Sequence, residues 1–239
     1  MTPAARLFAL GLVLLAAPAA AEQPRAVLEL FTSQGCSSCP KADRLANELA
    51  GEKDLIVLTF PVDYWDYLGW KDTLGSAAHT ARQEGYARAR GGRGKFTPEM
   101  IINGAASATG SDRAGIMAAI DTTGATPGLF AVPVAVEEEG GQIAIELAES
   151  PGGEGEVWLF ALASSRTVDI ESGENESRTA HYRNVVRKMT RLGAFSGKPV
   201  HFTVPRTEAM PDDADCYVVL VQSGSGAMPG AILGVNFRR

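Results

Sequence analysis

The sequence is poor in the residues that staple or strongly charge a protein. Three cysteines in 239 residues are too few for a disulfide framework, so any cysteine chemistry must come from spacing. Positive charge is in deficit: 22 Lys and Arg stand against 28 Asp and Glu, a net charge of −6. Replacing counterions on phosphate takes a concentrated basic face, so no nucleic-acid partner is expected. Beyond residue 21 no apolar run approaches the roughly 20 residues of a membrane-spanning helix, and there is no internal repeat. What remains is an ordinary globular balance, 45% apolar and 21% charged. It excludes collagenous, disulfide-rich and multi-span membrane classes. The length suits one large domain or two small ones.

The first residues read as an address. Residues 1–6 carry one cation, residues 7–17 are apolar, and Pro18-Ala19-Ala20-Ala21 precedes Glu22. That is the order of a secretory signal peptide. Residues 1–21 are therefore expected to be cleaved after Ala21, leaving a periplasmic or secreted protein where disulfides persist. No cysteine precedes that mature start, so lipoprotein attachment has no site.

Residues 22–126 alternate strand-like and helical runs. Ala26-Val27-Leu28-Glu29-Leu30-Phe31 is nearly continuous in apolar character, as for a strand buried on both faces. Residues 41–50 are helical, with Ala42, Leu45, Ala46 and Leu49 on one face. Residues 55–60 form a second strand, 76–90 a second helix, and 100–102 a short strand that turns at Asn103-Gly104 into 105–109. Ser111 is expected to cap a helix over 113–121. The order β-α-β-α-β-β-α predicts an α/β domain with a mixed sheet. Residues 122–128 read as a linker. Residues 127–239 then carry short strands at 132–136, 142–147, 156–162, 167–170, 180–186, 200–204 and 216–222, separated by Gly-, Pro- and Ser-rich turns. This spacing predicts a β-sandwich-like domain. A helical alternative stands for 185–192.

The chemistry centres on Cys36-Ser37-Ser38-Cys39, which follows the first strand and opens the first helix. Two intervening residues bring the sulfurs within disulfide reach. The helix start favours thiolate over thiol at the leading cysteine, so Cys36 is expected to be an exposed nucleophile and Cys39 the resolving thiol. Zinc would need a second ligand pair, and Cys216, His79, His181 and His201 supply none at ligand spacing. No metal and no cofactor are expected. Ser37 and Ser38 carry no charge, which points to the more reducing half of the known span of about −270 to −120 mV.

These motifs, with Thr97-Pro98 before a strand and Asn103-Gly104 after it, resemble the thioredoxin fold. More narrowly, three segments resemble a family of secreted bacterial thioredoxin-like proteins catalogued as a domain of unknown function. They are the segment from Leu28 to Pro40, Val62-Asp63-Tyr64-Trp65-Asp66-Tyr67-Leu68-Gly69-Trp70-Lys71-Asp72, and Gly110-Ser111-Asp112-Arg113. The likeness continues through Gly173-Glu174-Asn175 and Tyr182-Arg183-Asn184-Val185-Val186-Arg187. It implies a fold and no substrate. It also implies that Pro98 is the cis-proline facing the cysteines, with the Thr97 backbone open to an extended substrate strand. The sequence departs from thioredoxin in having Gln34-Gly35, without tryptophan, before Cys36, and in an insertion over residues 64–93.

Other residues carry two readings each. Glu29, in an apolar strand, is either a proton shuttle near the cysteines or a strand-edge residue facing water. Tyr64, Trp65, Tyr67 and Trp70 pack the insertion or form an apolar platform for a peptide. Arg88, Arg90, Arg93 and Lys95 form a solvated loop or meet an anionic partner. His79 is expected to be exposed, and Cys216 to be an inert buried thiol. Arg183 and Arg187 solvate a strand or pair with Asp63, Asp66 or Asp72 to hold the second region against the first.

Three functions fit. One is a thiol–disulfide oxidoreductase acting on protein or peptide thiols and disulfides through Cys36 and Cys39. Another is an envelope binding module whose CxxC is structural. The third is a copper or zinc carrier. Fold alone does not decide among them.

Overall fold

Every residue of Ala26–Thr32 (β1) and of Leu55–Pro61 (β2) is buried, as central strands covered on both faces must be. They pair in parallel from Ala26–Leu55 to Thr32–Pro61. The computed structural model describes residues 23–92 and 94–239; the leader expected over 1–21, and Arg93 of the basic loop, lie outside them. Among the described residues no helix is long and apolar enough to cross a membrane.

Helix α1, Cys39–Leu49, begins with proline in its first turn, where the missing N–H costs nothing. Helix α2, Ala77–Ala89, starts at Ser76, whose side chain accepts from the Ala78 amide. Strands Glu99–Ile102 (β3) and Ala106–Thr109 (β4) form a hairpin across Asn103 and Gly104, both at positive φ, and β3 runs antiparallel to β1. Helix α3 covers Arg113–Gly124. This is the thioredoxin-like α/β arrangement expected. Its α3 cap is Asp112, which accepts from the Gly115 amide, in place of Ser111.

The chain continues through Val134–Glu139 (β5), Gln142–Leu147 (β6), Glu154–Ile170 (β7), Arg178–Ser196 (β8), Val200–Pro205 (β9), a helical turn Arg206–Ala209 (α4), Cys216–Ser225 (β10) and Met228–Arg238 (β11). Strands β5, β6 and β9 form a small antiparallel sheet. The other strands of this region extend the first sheet into eight strands, β11-β10-β7-β8-β2-β1-β3-β4, with β8 parallel to β2. Strands from before and after residues 126 and 127 thus share one sheet.

Three apolar layers result. Leu28 and Leu30 of β1 pack with Leu45 and Leu49 of α1 and Ile116 and Ile120 of α3. The opposite face joins Val27, Phe31, Leu58 and Phe60 to Tyr86 of α2 and to Phe160, Val218 and Ile232 of the added strands. The small sheet lays Val134, Ile143, Ile145 and Leu147 against Leu159, Val219 and Val221 of the large one, a sandwich-like contact.

Two short strands expected at 156–162 and 167–170 are one strand, β7, because it pairs with β8 along its whole length and takes up the mismatch in two register shifts. The helical alternative for 185–192 falls to that same pairing. Strand β11 had no sequence signal strong enough to name it: Pro229, Gly230 and Gly234 interrupt the run, tolerable because β11 is an edge.

Expressing residues 22–126 alone removes β8 from β2 and uncovers Phe60, Leu58 and Tyr86. The fragment is expected to aggregate or to lose cooperative thermal unfolding by circular dichroism. A fragment melting at the full chain's midpoint would contradict the continuous-sheet account.

Candidate functional site

Cys36 and Cys39 form a disulfide at the start of α1, with Cα atoms 5.4 Å apart. The Thr97–Pro98 peptide is cis, and the Thr97 carbonyl oxygen lies 3.8 Å from Cys36 Sγ. Cys36, Cys39, Thr97 and Pro98 are thus brought together. Cys36 is not exposed as expected: it keeps 4% exposure and Cys39 none, while Ser37 and Ser38 face solvent. The cover comes from two segments outside the minimal fold.

One is the loop after β2. Trp65 lies against Gly35, where a Cβ would sit 3.2 Å from the Trp65 carbonyl oxygen, tighter than ordinary contact. Its indole Nε1 donates to Thr97 Oγ1 (2.7 Å), tying the insertion to the cis-proline turn. Trp70 Nε1 donates to Gln34 Oε1 (2.7 Å), and Asp72 Oδ2 accepts from the Gln34 amide (2.8 Å). Tyr67 stacks on Trp65 and is 77% exposed. Trp65 and Trp70 therefore brace the CxxC turn, and Tyr67 leaves an aromatic surface beside it.

The second is the tip of the β7–β8 hairpin. Asn175 is buried; its Nδ2 donates to the carbonyls of Gln34 (2.8 Å) and Cys36 (2.9 Å), and its Oδ1 has no partner among the described residues. Such use of the amide leaves no room for the glycan that Asn175-Glu176-Ser177 formally invites. Glu174 Oε2 accepts from the Ser37 amide (3.2 Å), and Ser172 Oγ donates to the Gly69 carbonyl (2.7 Å). The second region thus completes the CxxC turn.

Glu29 is not beneath the cysteines. It shares its face of β1 with Val27 and Phe31, opposite α1, and is fully buried. Arg82 donates to both its oxygens (2.7 and 2.8 Å), and Tyr86 OH donates to Oε1 (2.8 Å). The Arg82 guanidinium also meets Gln222 Oε1 (2.9 Å) and lies over the Phe160 ring. Neither water-facing nor a shuttle neighbour of Cys39, Glu29 is half of a buried ion pair. Removing one member of such a pair costs about 3–5 kcal/mol.

The acids on the cysteine side are Asp43, which carries no expectation from the sequence, and Asp72, expected only as a partner for Arg183 or Arg187. Asp43 sits one turn after Cys39 on the buried face of α1 and accepts from Thr32 Oγ1 (2.6 Å). Burial pushes its carboxyl up to about 7, against the Thr32 bond, with Asp72 adding to the rise. Burial likewise pushes Asp72 up to about 6, opposed by the Gln34 and Leu74 amides. A polar residue among Ala42, Leu45 and Ala46 was the available signal. Asp43, Arg44, Asn47, Asn175 and Tyr182 line a pocket of about 430 Å³ between α1 and the hairpin.

The remaining expectations resolve locally. His79 is buried, not exposed; its Nδ1 meets the Pro61 carbonyl (2.8 Å), and burial lowers it to about 4. Cys216 is buried, and its thiol is pushed up to about 12 by burial and Asp215. Arg90 pairs with Glu99 (2.5 Å), and Arg88 and Lys95 with Glu84, so the described cations of the basic loop meet acids of this chain. Arg187 pairs with Asp213 (2.6 Å), not with Asp63, Asp66 or Asp72, which are engaged by Thr80, the Asp72 amide and the Gln34 amide. Arg183 contributes its carbonyl, which accepts from Thr59 Oγ1 (2.7 Å).

Fold and site together define a thioredoxin-like α/β chain with an oxidised CxxC at a helix start. The family model described as "Protein of unknown function (DUF1223)" matches residues 27–222, and the chain belongs to that family. It is similar to the crystal structure of protein AGR_C_4864 from Agrobacterium tumefaciens, 32% identical with a TM-score of 0.81, covering 92% of this chain and 96% of that one. HBP35 of Porphyromonas gingivalis is 12% identical with a TM-score of 0.59, over 91% of this chain and 76% of that one, a likeness of fold alone. No curated protein matches the chain.

Asp43 and Asp72 bind protons more tightly folded than unfolded. Their contribution is whole below the unfolded carboxyl range of about 4 and is lost as pH rises through about 6 and then about 7. Unfolding free energy is expected to fall by roughly 1–3 kcal/mol between pH 5 and pH 8, and Asp43→Asn to remove most of that fall. Denaturant titrations at both pH values check this; equal slopes with pH in the two proteins would contradict it.

Proposed function

We propose that this chain, freed of a leader ending at Ala21, is a periplasmic or secreted thiol–disulfide oxidoreductase working through Cys36 and Cys39. The observation that carries the reading is the pair at the start of α1 facing the Thr97 carbonyl across a cis-proline turn. In the reduced protein the Cys36 thiolate attacks one sulfur of a substrate protein's disulfide. A Cys36–substrate bond forms, and the substrate's other sulfur leaves as thiolate and takes a proton. Cys39, having given up its own proton, then attacks Cys36 Sγ. The protein disulfide forms and the substrate leaves as a dithiol, two electrons richer. A dithiol donor returns the protein to its reduced form by the reverse exchange.

Cys36 attacks first because it is the sulfur nearer solvent and Cys39 is fully covered. The aromatic surface of Trp65 and Tyr67 beside it suits a polypeptide substrate. A structural CxxC on a binding scaffold is the second reading, favoured by the low exposure of both cysteines.

The test is trapping. Cys39→Ser, reduced and offered a disulfide-containing protein, is expected to accumulate a mixed disulfide at Cys36, with Cys36→Ser giving none. Mass spectrometry of the adduct decides. Faster alkylation of Cys39 than Cys36 in the reduced wild type, or no adduct, would overturn the assignment.

A further inference from the structure

Helix α1 reaches the redox turn with its start unprotected by its own sequence. Ser38 makes no side-chain cap, and the first turn holds no acidic residue. The free amides and positive end of such a helix are what lower the reactivity barrier of a leading cysteine, because they stabilise its thiolate. Here an amide of the CxxC turn, just ahead of that helix, is taken. Glu174, from the hairpin tip 137 residues further along the chain, sets Oε2 on the Ser37 amide at 3.2 Å. Its neighbour Asn175 locks the arrangement by donating to the carbonyls on either side of Gly35.

We propose that Glu174 is a tuning residue that holds Cys36 in its protonated, slow form by occupying the Ser37 amide and adding a negative charge to the CxxC turn. The inference rests on the thiol–disulfide reading above and adds regulation to that site. The charged groups packed around the turn are Asp43 and Arg44 on α1, Asp66 and Asp72 after β2, and Glu174, Arg178 and His181 on the hairpin. Of these, Asp72 and Glu174 hydrogen-bond to backbone amides of residues 34–37. Among the described residues no Lys or Arg side chain donates to a carbonyl of residues 34–37, where Asn175 does so. When Cys36 ionises, its proton goes to solvent and the new charge shares the turn with a carboxylate bonded to the next residue's amide. Displacing Glu174, as a substrate chain crossing the exposed Ser37 and Ser38 would do, frees the amide for the thiolate when the substrate is in place.

Glu174→Gln keeps an oxygen that can accept from Ser37 and removes only the charge. In the reduced full chain, the midpoint of the pH–rate profile for Cys36 alkylation by iodoacetamide is expected to fall by about half to one pH unit. A nearby charge moves a titrating group by about 1–3 units when shielded from water, and Glu174 is exposed. The rate at pH 7 should rise about two- to fourfold, less than tenfold because a less basic thiolate is a weaker nucleophile. In 1 M salt the two proteins should converge, since screening then acts within about 3 Å. Glu176→Gln, a charge on the same tip that bonds to no CxxC residue, should leave the profile where it is, and thermal midpoints should match.

A Glu174→Gln profile superimposed on the wild type, or an equal shift from Glu176→Gln, overturns the proposal and leaves the oxidoreductase reading standing. A Cys36 that cannot be alkylated in any of the three proteins overturns that reading and the proposal together.

Discussion

The parallel seat of β8 beside β2 determines the rest of this structure. Thr59 Oγ1 donates to the Arg183 carbonyl, and Asn184 Nδ2 donates to the Val57 carbonyl (2.8 Å). From the other side Asn47 Nδ2 of α1 reaches the His181 carbonyl (2.8 Å). These side-chain bonds fix β8 where the ladder itself is short, with Thr59–Val185 in register. Once β8 is placed, the hairpin it shares with β7 projects its tip onto the cysteine turn, and β7 carries β10 and β11 outward as one sheet. The same strand therefore extends the core and completes the site.

The two faces of β1 then take opposite electrostatic solutions. On the α2 side, burial is compensated by pairing: Glu29 meets Arg82, Tyr86 and Gln222 in a network closed by the Gln222–Tyr86 bond (2.7 Å). On the α1 side two carboxyls are buried without a cation in contact, and both are pushed toward neutrality. The side chains hydrogen-bonded to the backbone of the cysteine turn are thus acids and neutral donors. Such surroundings disfavour a thiolate and stabilise the disulfide over the dithiol. Under the oxidoreductase reading these surroundings and the uncharged Ser37-Ser38 pair would both act toward a reducing potential.

Much of this was legible in the sequence where a local rule operates. A continuous apolar run gave away β1, the Asn103-Gly104 turn marked the β3–β4 hairpin, and cysteine spacing at a helix start located the disulfide pair. What stayed hidden depends on partners distant in the chain. Glu29 reads as anomalous in any strand, and its meaning comes only from Arg82 across the sheet. Asp43 shows as a polar residue on an apolar helix face, yet nothing local says that Thr32 is its partner. The burial of Cys36 and the roles of Glu174 and Asn175 require the long β7–β8 hairpin. The sequence divides that hairpin into short pieces, because Ser164, Ser165 and the tip residues read as turns. His79 was misjudged for the same reason: its helix packs with its polar face inward.

The central claim is that Cys36 and Cys39 are a working redox pair held toward the disulfide by their surroundings. Equilibrating the mature chain with graded reduced and oxidised glutathione, and counting thiols by mass after acid quench, measures that directly. The account predicts a reversible two-electron transition in the reducing half of the span, between about −270 and −195 mV. A potential near −120 mV, or a disulfide that does not exchange with glutathione at all, would contradict it.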